Sequence, residues 1–113
     1  EKKLIFLKKL FSQSVRTITT SELEAVMQEK STVLLDVRTA QEYAGGHIKG
    51  ARLFPLDRIH TYEGKKGSTI YLICHSGTRS KRAAKLLSQK GYDAISVKGG
   101  MMAWQGKIIG GKK

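Results

Sequence analysis

From Ile18 onward, strand signals and helix signals alternate along the chain, and this constrains the fold more than any other feature. Strands joined through helices cannot pair as hairpins. They run parallel, and the crossover helices cover the sheet on both faces. Ser21-Glu-Leu-Glu24 fits a capping box, and Leu23, Val26 and Met27 continue it as a helical stripe to about Glu29. Thr32 to Val37 is a short, mostly apolar run, the pattern of a strand buried on both faces. Thr39-Ala-Gln-Glu42 fits a second capping box, whose helix Gly45-Gly46 stops early. Ala51 to Phe54 reads as a strand ended by Pro55, and Leu56 to His60 as one helical turn. Thr69 to Ile73 is the strongest strand, being β-branched, aromatic and apolar throughout. A helix from about Arg79 to Lys90 carries Ala83, Ala84, Leu86 and Leu87 at core spacing and stops at Gly91. Ala94 to Val97 gives a last strand, followed by Gly99-Gly100 and a short helix at Met101 to Trp104. The expected fold is α/β, with a mostly parallel sheet between helical layers. Ligands of such sheets bind beyond the carboxyl ends of the strands.

The 113 residues suit one domain with one packed core. Residues 16–106 are expected to form it, residues 1–15 a basic amphipathic arm, and residues 107–113 a flexible Gly- and Lys-rich tail. In the arm, Lys2, Lys3, Lys8 and Lys9 surround Leu4, Leu7, Leu10 and Phe11, which share one arc of a helical wheel. Its longest apolar run is too short for a membrane span or a signal-peptide core. A packed arm and a peripheral contact with an anionic membrane both remain open. The single cysteine excludes a disulfide scaffold and a Cys-rich zinc site. Neither a metal nor a cofactor is expected. Low cysteine usage fits a reducing interior, so the expected location is cytoplasmic, with membrane association open through the arm.

Lys plus Arg number 21 against 9 Asp plus Glu, a formal net charge of +12. Alone, that would point to nucleic acid, anionic lipid or small anions. The basic runs have no interleaved aromatic residues and no groove-binding motif, so nucleic acid is not an expected partner. Part of the charge is focused instead. Between Glu63 and Asp93 there is no acid, but Lys65, Lys66, Arg79, Lys81, Arg82, Lys85 and Lys90 are present. Cys74 lies within that stretch, at the end of the strongest strand.

The segment Cys74-His75-Ser76-Gly77-Thr78-Arg79-Ser80 passes from strand to helix. Such a loop gathers backbone N–H groups at a helix N-terminus, which binds anions and lowers a thiol pKa. Gly77 permits the positive φ that a tight loop needs, and Ser80 is an early-helix or capping hydroxyl. A lone cysteine in an apolar strand is more often a small core residue. Strand, Cys, Gly, Arg and helix in this order favour the reactive reading.

Three blocks of the sequence, covering roughly Ile18 to Gly106, resemble single-domain rhodaneses, the thiosulfate sulfurtransferase-like family. The first is Asp36-Val-Arg38 through Glu42-Tyr43, Gly46-His47-Ile48 and Gly50-Ala51; the second is the Cys74–Arg79 loop leading to Ser80; the third is Gly99-Gly100 through Trp104. The resemblance implies a three-layer fold around a five-stranded sheet. It also implies sulfur transfer through a Cys74 persulfide, in two covalent steps. The donor would be a small sulfur anion such as thiosulfate. The acceptor would be cyanide or a thiol, including that of a sulfur-accepting protein. Loop amides from His75 to Ser80, Ser76, Gly77 and Thr78 among them, would hold the transferred sulfur. Arg79 would add positive charge and brace the loop, and His75, Lys81 and Arg82 would help bind an anionic donor. Asp36 and Arg38 fit an ion pair bordering the site, with Arg38 as the site-lining member. His47 reads as a structural hydrogen-bonding residue and Trp104 as core or pocket wall.

Two alternatives stand beside this reading. One is a sulfur-carrier or binding module that serves a protein partner. The other is a Cys-dependent phosphatase or arsenate reductase. Related phosphatases use a loop one residue longer, because a phosphate with its oxygens needs a wider cradle than one sulfur atom. With no second cysteine, a persulfide must discharge to an outside acceptor. The Pro usual after the Trp is replaced by Gly106-Lys107, which bears on the path of the tail.

Overall fold

The computed structural model describes residues 15–29 and 31–111. Most of the basic arm lies outside these residues. The element order is β1 (Arg16–Ile18), α1 (Thr20–Val26), β2 (Leu34–Asp36), α2 (Ala40–Ala44), β3 (Arg52–Leu53), a 3₁₀ turn (Leu56–Thr61), β4 (Thr69–Ile73), α3 (Thr78–Gln89), β5 (Asp93–Val97) and α4 (Gly100–Ala103). The five strands form one sheet in the order β1-β5-β4-β2-β3, and every pairing is parallel. This is the expected α/β architecture. β1 has no strong apolar pattern of its own and exists by pairing with β5, Arg16 opposite Ile95 and Ile18 opposite Val97.

The central strands are buried on both faces, so alternate residues feed two separate cores. Leu35 and Val37 of the β2 segment and Ile70, Leu72 and Cys74 of the β4 segment face one core, with Ala83, Ala84 and Leu87 of α3 and Ile59 and Tyr62 near the 3₁₀ turn. Leu34, Ile73 and Val97 face the other, with Leu23 of α1, Ile48 and Ala51. This parity places Cys74 under the first turn of α3.

Two local expectations are corrected. The first capping box is Thr19–Glu22, not Ser21–Glu24. β1 ends at Ile18, so Thr19 is the last extended residue; its hydroxyl accepts from the Glu22 amide at 3.1 Å, and Glu22 accepts from the Thr19 amide at 2.9 Å. The tail is also tied down as far as Gly111. His47 and Ile109 exchange both backbone hydrogen bonds, at 2.9 and 2.8 Å, and the Gly111 N–H donates to Ala44. The composition of the tail hid these bonds because they are made by backbone rather than side chains. The second capping box, Thr39–Glu42, forms as the sequence indicated. No described helix is long and apolar enough to cross a membrane.

Candidate active site

β4 delivers Cys74 to its carboxyl end, and the chain must reverse into α3 within a few residues. Gly77 makes that possible. It precedes α3 with φ 109° and ψ −14°, a left-handed conformation that strains any residue with a Cβ. The turn directs backbone donors inward at the sulfur. The Gly77 N–H lies 3.0 Å and the Ser80 N–H 3.3 Å from Cys74 Sγ. Cys74 itself is fully buried. Burial pushes its thiol pKa up. The Ser80 hydroxyl and the amides of Ser80, Gly77 and Ser76 together outweigh that, and the thiol lies below its ordinary value. These donors favour thiolate and could equally hold a charged sulfur bonded to it.

Ser80 is the hub beneath the loop. Its Oγ lies 3.5 Å from Sγ, donates to the Gly77 carbonyl at 3.1 Å, and is 2.7 Å from Ser96 Oγ. Both serines are fully buried. Ser80 carries one hydroxyl proton. While that proton serves Gly77, the thiol and Ser96 must be the donors toward Ser80. When Cys74 ionises, the Ser80 hydroxyl can turn and donate to the sulfur, with Ser96 still donating to Ser80. Ser96 sits beside Leu72 in the β5–β4 register, on the face that also carries Cys74.

Asp36 and Arg38 form the expected ion pair at the end of β2. The Arg38 side chain donates twice from Nε, at 2.9 and 3.2 Å, and once from Nη2, at 2.8 Å; Nη2 also reaches the Gly46 carbonyl. Asp36 is fully buried and Arg38 nearly so, and complete pairing makes such burial tolerable. Arg79 braces the loop, but through a partner that sequence reasoning assigned only to a helix cap. Its guanidinium makes a bidentate pair with Glu42, at 2.8 and 3.0 Å, linking α3 to α2. Hydrogen bonding to Arg79, then to Thr39, holds the Glu42 carboxyl at about 2. Glu42 thus caps α2 and fixes Arg79 at once.

α4 clamps the loop from the opposite side. The N–H groups of Met101 and Met102 donate to the carbonyls of Cys74 and His75, at 2.8 and 3.0 Å. Gly100 passes so close that a Cβ there would stand 2.4 Å from the Cys74 oxygen and 2.6 Å from that of His75. The carbonyls are therefore turned outward while the amides point at the sulfur. His75, Ser76 and Thr78 are exposed at the rim, as are Lys81, Arg82 and Lys98. Ser76, Gly77, Thr78, Lys81, Arg82 and Lys98 line a depression over the loop. His47 stacks on Tyr43 and hydrogen-bonds the Tyr43 carbonyl through Nδ1, a structural role. Trp104 packs against the core on the sheet face opposite Cys74. Among the described residues, no three His, Cys, Asp or Glu side chains cluster as a metal site would require.

Cys74 follows β4, its loop turns into α3, and the Asp36–Arg38 pair lies at the end of β2. Ser96, Glu42 and Gly100 complete the arrangement. Ser96 was detectable only as one hydroxyl between the apolar residues of β5. Gly100 was visible as half of a Gly-Gly pair, without its partner in space.

Residues 19–107 match the family of rhodanese-like domains. YqhL of Bacillus subtilis, an uncharacterized protein, is 38% identical over 97 residues, which are 83% of this chain and 75% of YqhL. YrkF of Bacillus subtilis, a putative sulfur carrier protein, is 37% identical over 103 residues, covering 85% of this chain and 56% of YrkF. The chain therefore spans little more than half of that relative. The crystal structure of a rhodanese-like domain protein from Staphylococcus aureus superposes with a TM-score of 0.76 at 34% identity, covering 87% of this chain and 100% of that one. In sequence and in fold, this chain belongs to the rhodanese-like domain family.

Proposed function

We propose that the protein is a sulfurtransferase in which Cys74 carries sulfur as a persulfide. The observation that carries this reading is the arrangement around Sγ. A thiol shifted toward thiolate sits at the focus of the Gly77 and Ser80 amides and the Ser80 hydroxyl, at the carboxyl end of the central strand. The thiolate would attack the outer sulfur of a donor such as thiosulfate, expelling sulfite and leaving Cys74–S–S⁻. Cyanide or a thiol would then remove that sulfur and restore the thiolate. The Cys74–Arg79 loop spans six residues, one fewer than in the related phosphatases, and its amides converge on Cys74 Sγ, which favours a single transferred sulfur over a phosphate or arsenate. The proposed compartment is the cytoplasm, where a single thiol stays reduced.

A second reading is favoured by the likeness to YrkF. The domain would act as a carrier that accepts sulfur and delivers it to a protein thiol. Thiosulfate-dependent thiocyanate formation separates the two. The enzyme reading expects multiple turnovers, abolished in Cys74→Ser. The carrier reading expects a persulfide with negligible cyanide turnover and rapid transfer to a partner thiol. A wild-type protein that gains no sulfur from any donor overturns both.

A further inference from the structure

A buried hydroxyl pair lies behind the loop, and its surroundings fix which member donates. Ser96 Oγ and Ser80 Oγ are 2.7 Å apart, and both side chains are fully buried. Among the described residues, Ser80 is the one hydrogen-bond partner of the Ser96 hydroxyl. If Ser80 donated to Ser96, the Ser96 proton would be stranded in the core, at the cost of an unmade hydrogen bond. Ser96 therefore donates and Ser80 accepts. With its oxygen so engaged, the Ser80 hydroxyl has two acceptors left for its own proton. These are the Gly77 carbonyl at 3.1 Å and Cys74 Sγ at 3.5 Å.

The balance between those acceptors changes as sulfur comes and goes. In Cys74–S–S⁻ the charge is on the outer sulfur, and Sγ is a neutral divalent sulfur, a weak acceptor. The Ser80 proton then serves the Gly77 carbonyl. When cyanide attacks the outer sulfur, an S–C bond forms and the S–S bond breaks. Its electron pair passes to Sγ, and thiocyanate leaves. Sγ is now a thiolate, and a charged acceptor holds a donor more strongly than a carbonyl does. A hydroxyl turns about its C–O bond without moving a heavy atom, so Ser80 can follow the charge inside a packed loop. A second donor on the same oxygen polarises that hydroxyl and strengthens the bond it gives.

We propose that Ser96 is a positioning residue for sulfur discharge: by donating to Ser80 it directs the Ser80 proton onto Sγ as the S–S bond breaks. This rests on the persulfide reading above. The effect is one-sided. Discharge, in which Sγ is the leaving group, is accelerated. Loading, in which Sγ is the nucleophile, is restrained, because the same hydrogen bond must be given up before attack. The transferred sulfur is thereby held in a form that is easily removed.

Stopped-flow discharge of persulfidated protein by cyanide reads one half of the reaction. Loading by thiosulfate, with its equilibrium measured against added sulfite, reads the other. Rates and equilibria are normalised to thiolate. Ser96→Ala should slow discharge about fivefold and shift the loading equilibrium about fivefold toward persulfide, with no fall in the loading rate. Ser96→Thr should restore both. In a Ser80→Ala background, adding Ser96→Ala should change neither, since the relay is already cut at its middle. Loading and discharge slowed alike in Ser96→Ala, rates and equilibrium unchanged, or an effect that survives in Ser80→Ala would each overturn the proposal. Intact-mass spectrometry of the loaded wild type separates those outcomes from failure of the persulfide reading, in which the wild type gains no sulfur at all.

Discussion

Replacing Gly100 by Ala should loosen the loop that holds Cys74, and a second glycine supplies the control. Gly100 has φ +58° and Gly67 has φ +82°, so alanine is strained at either position, by about 1 kcal/mol. Their surroundings differ. Nothing lies within 4 Å of a Cβ built on Gly67. A Cβ on Gly100 would stand 2.4 Å from the Cys74 oxygen and 2.6 Å from the His75 oxygen. Ordinary contact needs about 1 Å more, and these carbonyls cannot yield freely, because the Met101 and Met102 amides hold them at 2.8 and 3.0 Å. Forcing backbone apart in a packed region costs about 1–3 kcal/mol, and each weakened hydrogen bond adds about 1. Gly100→Ala should therefore destabilise by about 3 kcal/mol and Gly67→Ala by about 1. For a domain of this size that is a fall in Tm of roughly 15 °C against roughly 5 °C. Urea unfolding measures the difference, and iodoacetamide alkylation of folded protein should show Cys74 reacting faster in Gly100→Ala alone. If the two variants unfold at the same urea concentration and alkylate alike, α4 does not clamp the loop.

Three further substitutions probe the surrounding contacts. Ser96→Ala removes the donor behind Ser80 and should raise the Cys74 thiol pKa toward its ordinary value, read as an upward shift in the pH midpoint of alkylation; Ser96→Thr should restore most of it. Glu42→Gln should cost about 1 kcal/mol at neutral pH, a figure kept small because the pair is about one-third exposed. It should also flatten the acid limb of stability. The Glu42 carboxyl titrates near 4.5 when unfolded and at about 2 when folded, so its contribution is complete above 4.5 and lost as pH falls toward 2. Urea midpoints at pH 6 and pH 3 should therefore converge in the variant relative to wild type. Asp36→Ala leaves the buried Arg38 guanidinium without its carboxylate and should destabilise by about 3–5 kcal/mol in urea unfolding.

What could be read from the sequence was local. Thr69–Ile73 declares itself because five consecutive residues favour a buried strand, and Gly77 because only a left-handed residue lets the chain turn into α3. Glu42 shows the limit. Its place three residues after Thr39 predicts a cap correctly, yet the same carboxylate grips Arg79, 37 positions away. Ser96 is similar, since its meaning comes from strand parity and from α3 crossing above it. β1 has almost no signature because Arg16 and Thr17 are exposed, and pairing with β5 defines it. Among the arginines near the loop, Arg38 and Arg79 are neutralised by carboxylates, while Arg58 and Arg82 face an open cleft.

The central claim is that Cys74 takes up a single sulfur atom. Intact-mass spectrometry of reduced protein after incubation with thiosulfate tests it most directly. The account predicts a gain of one sulfur in wild type, its loss on adding cyanide with matching thiocyanate, and no gain in Cys74→Ser. A wild-type mass unchanged across thiosulfate and other sulfane donors, or an equal gain in Cys74→Ser, would contradict it.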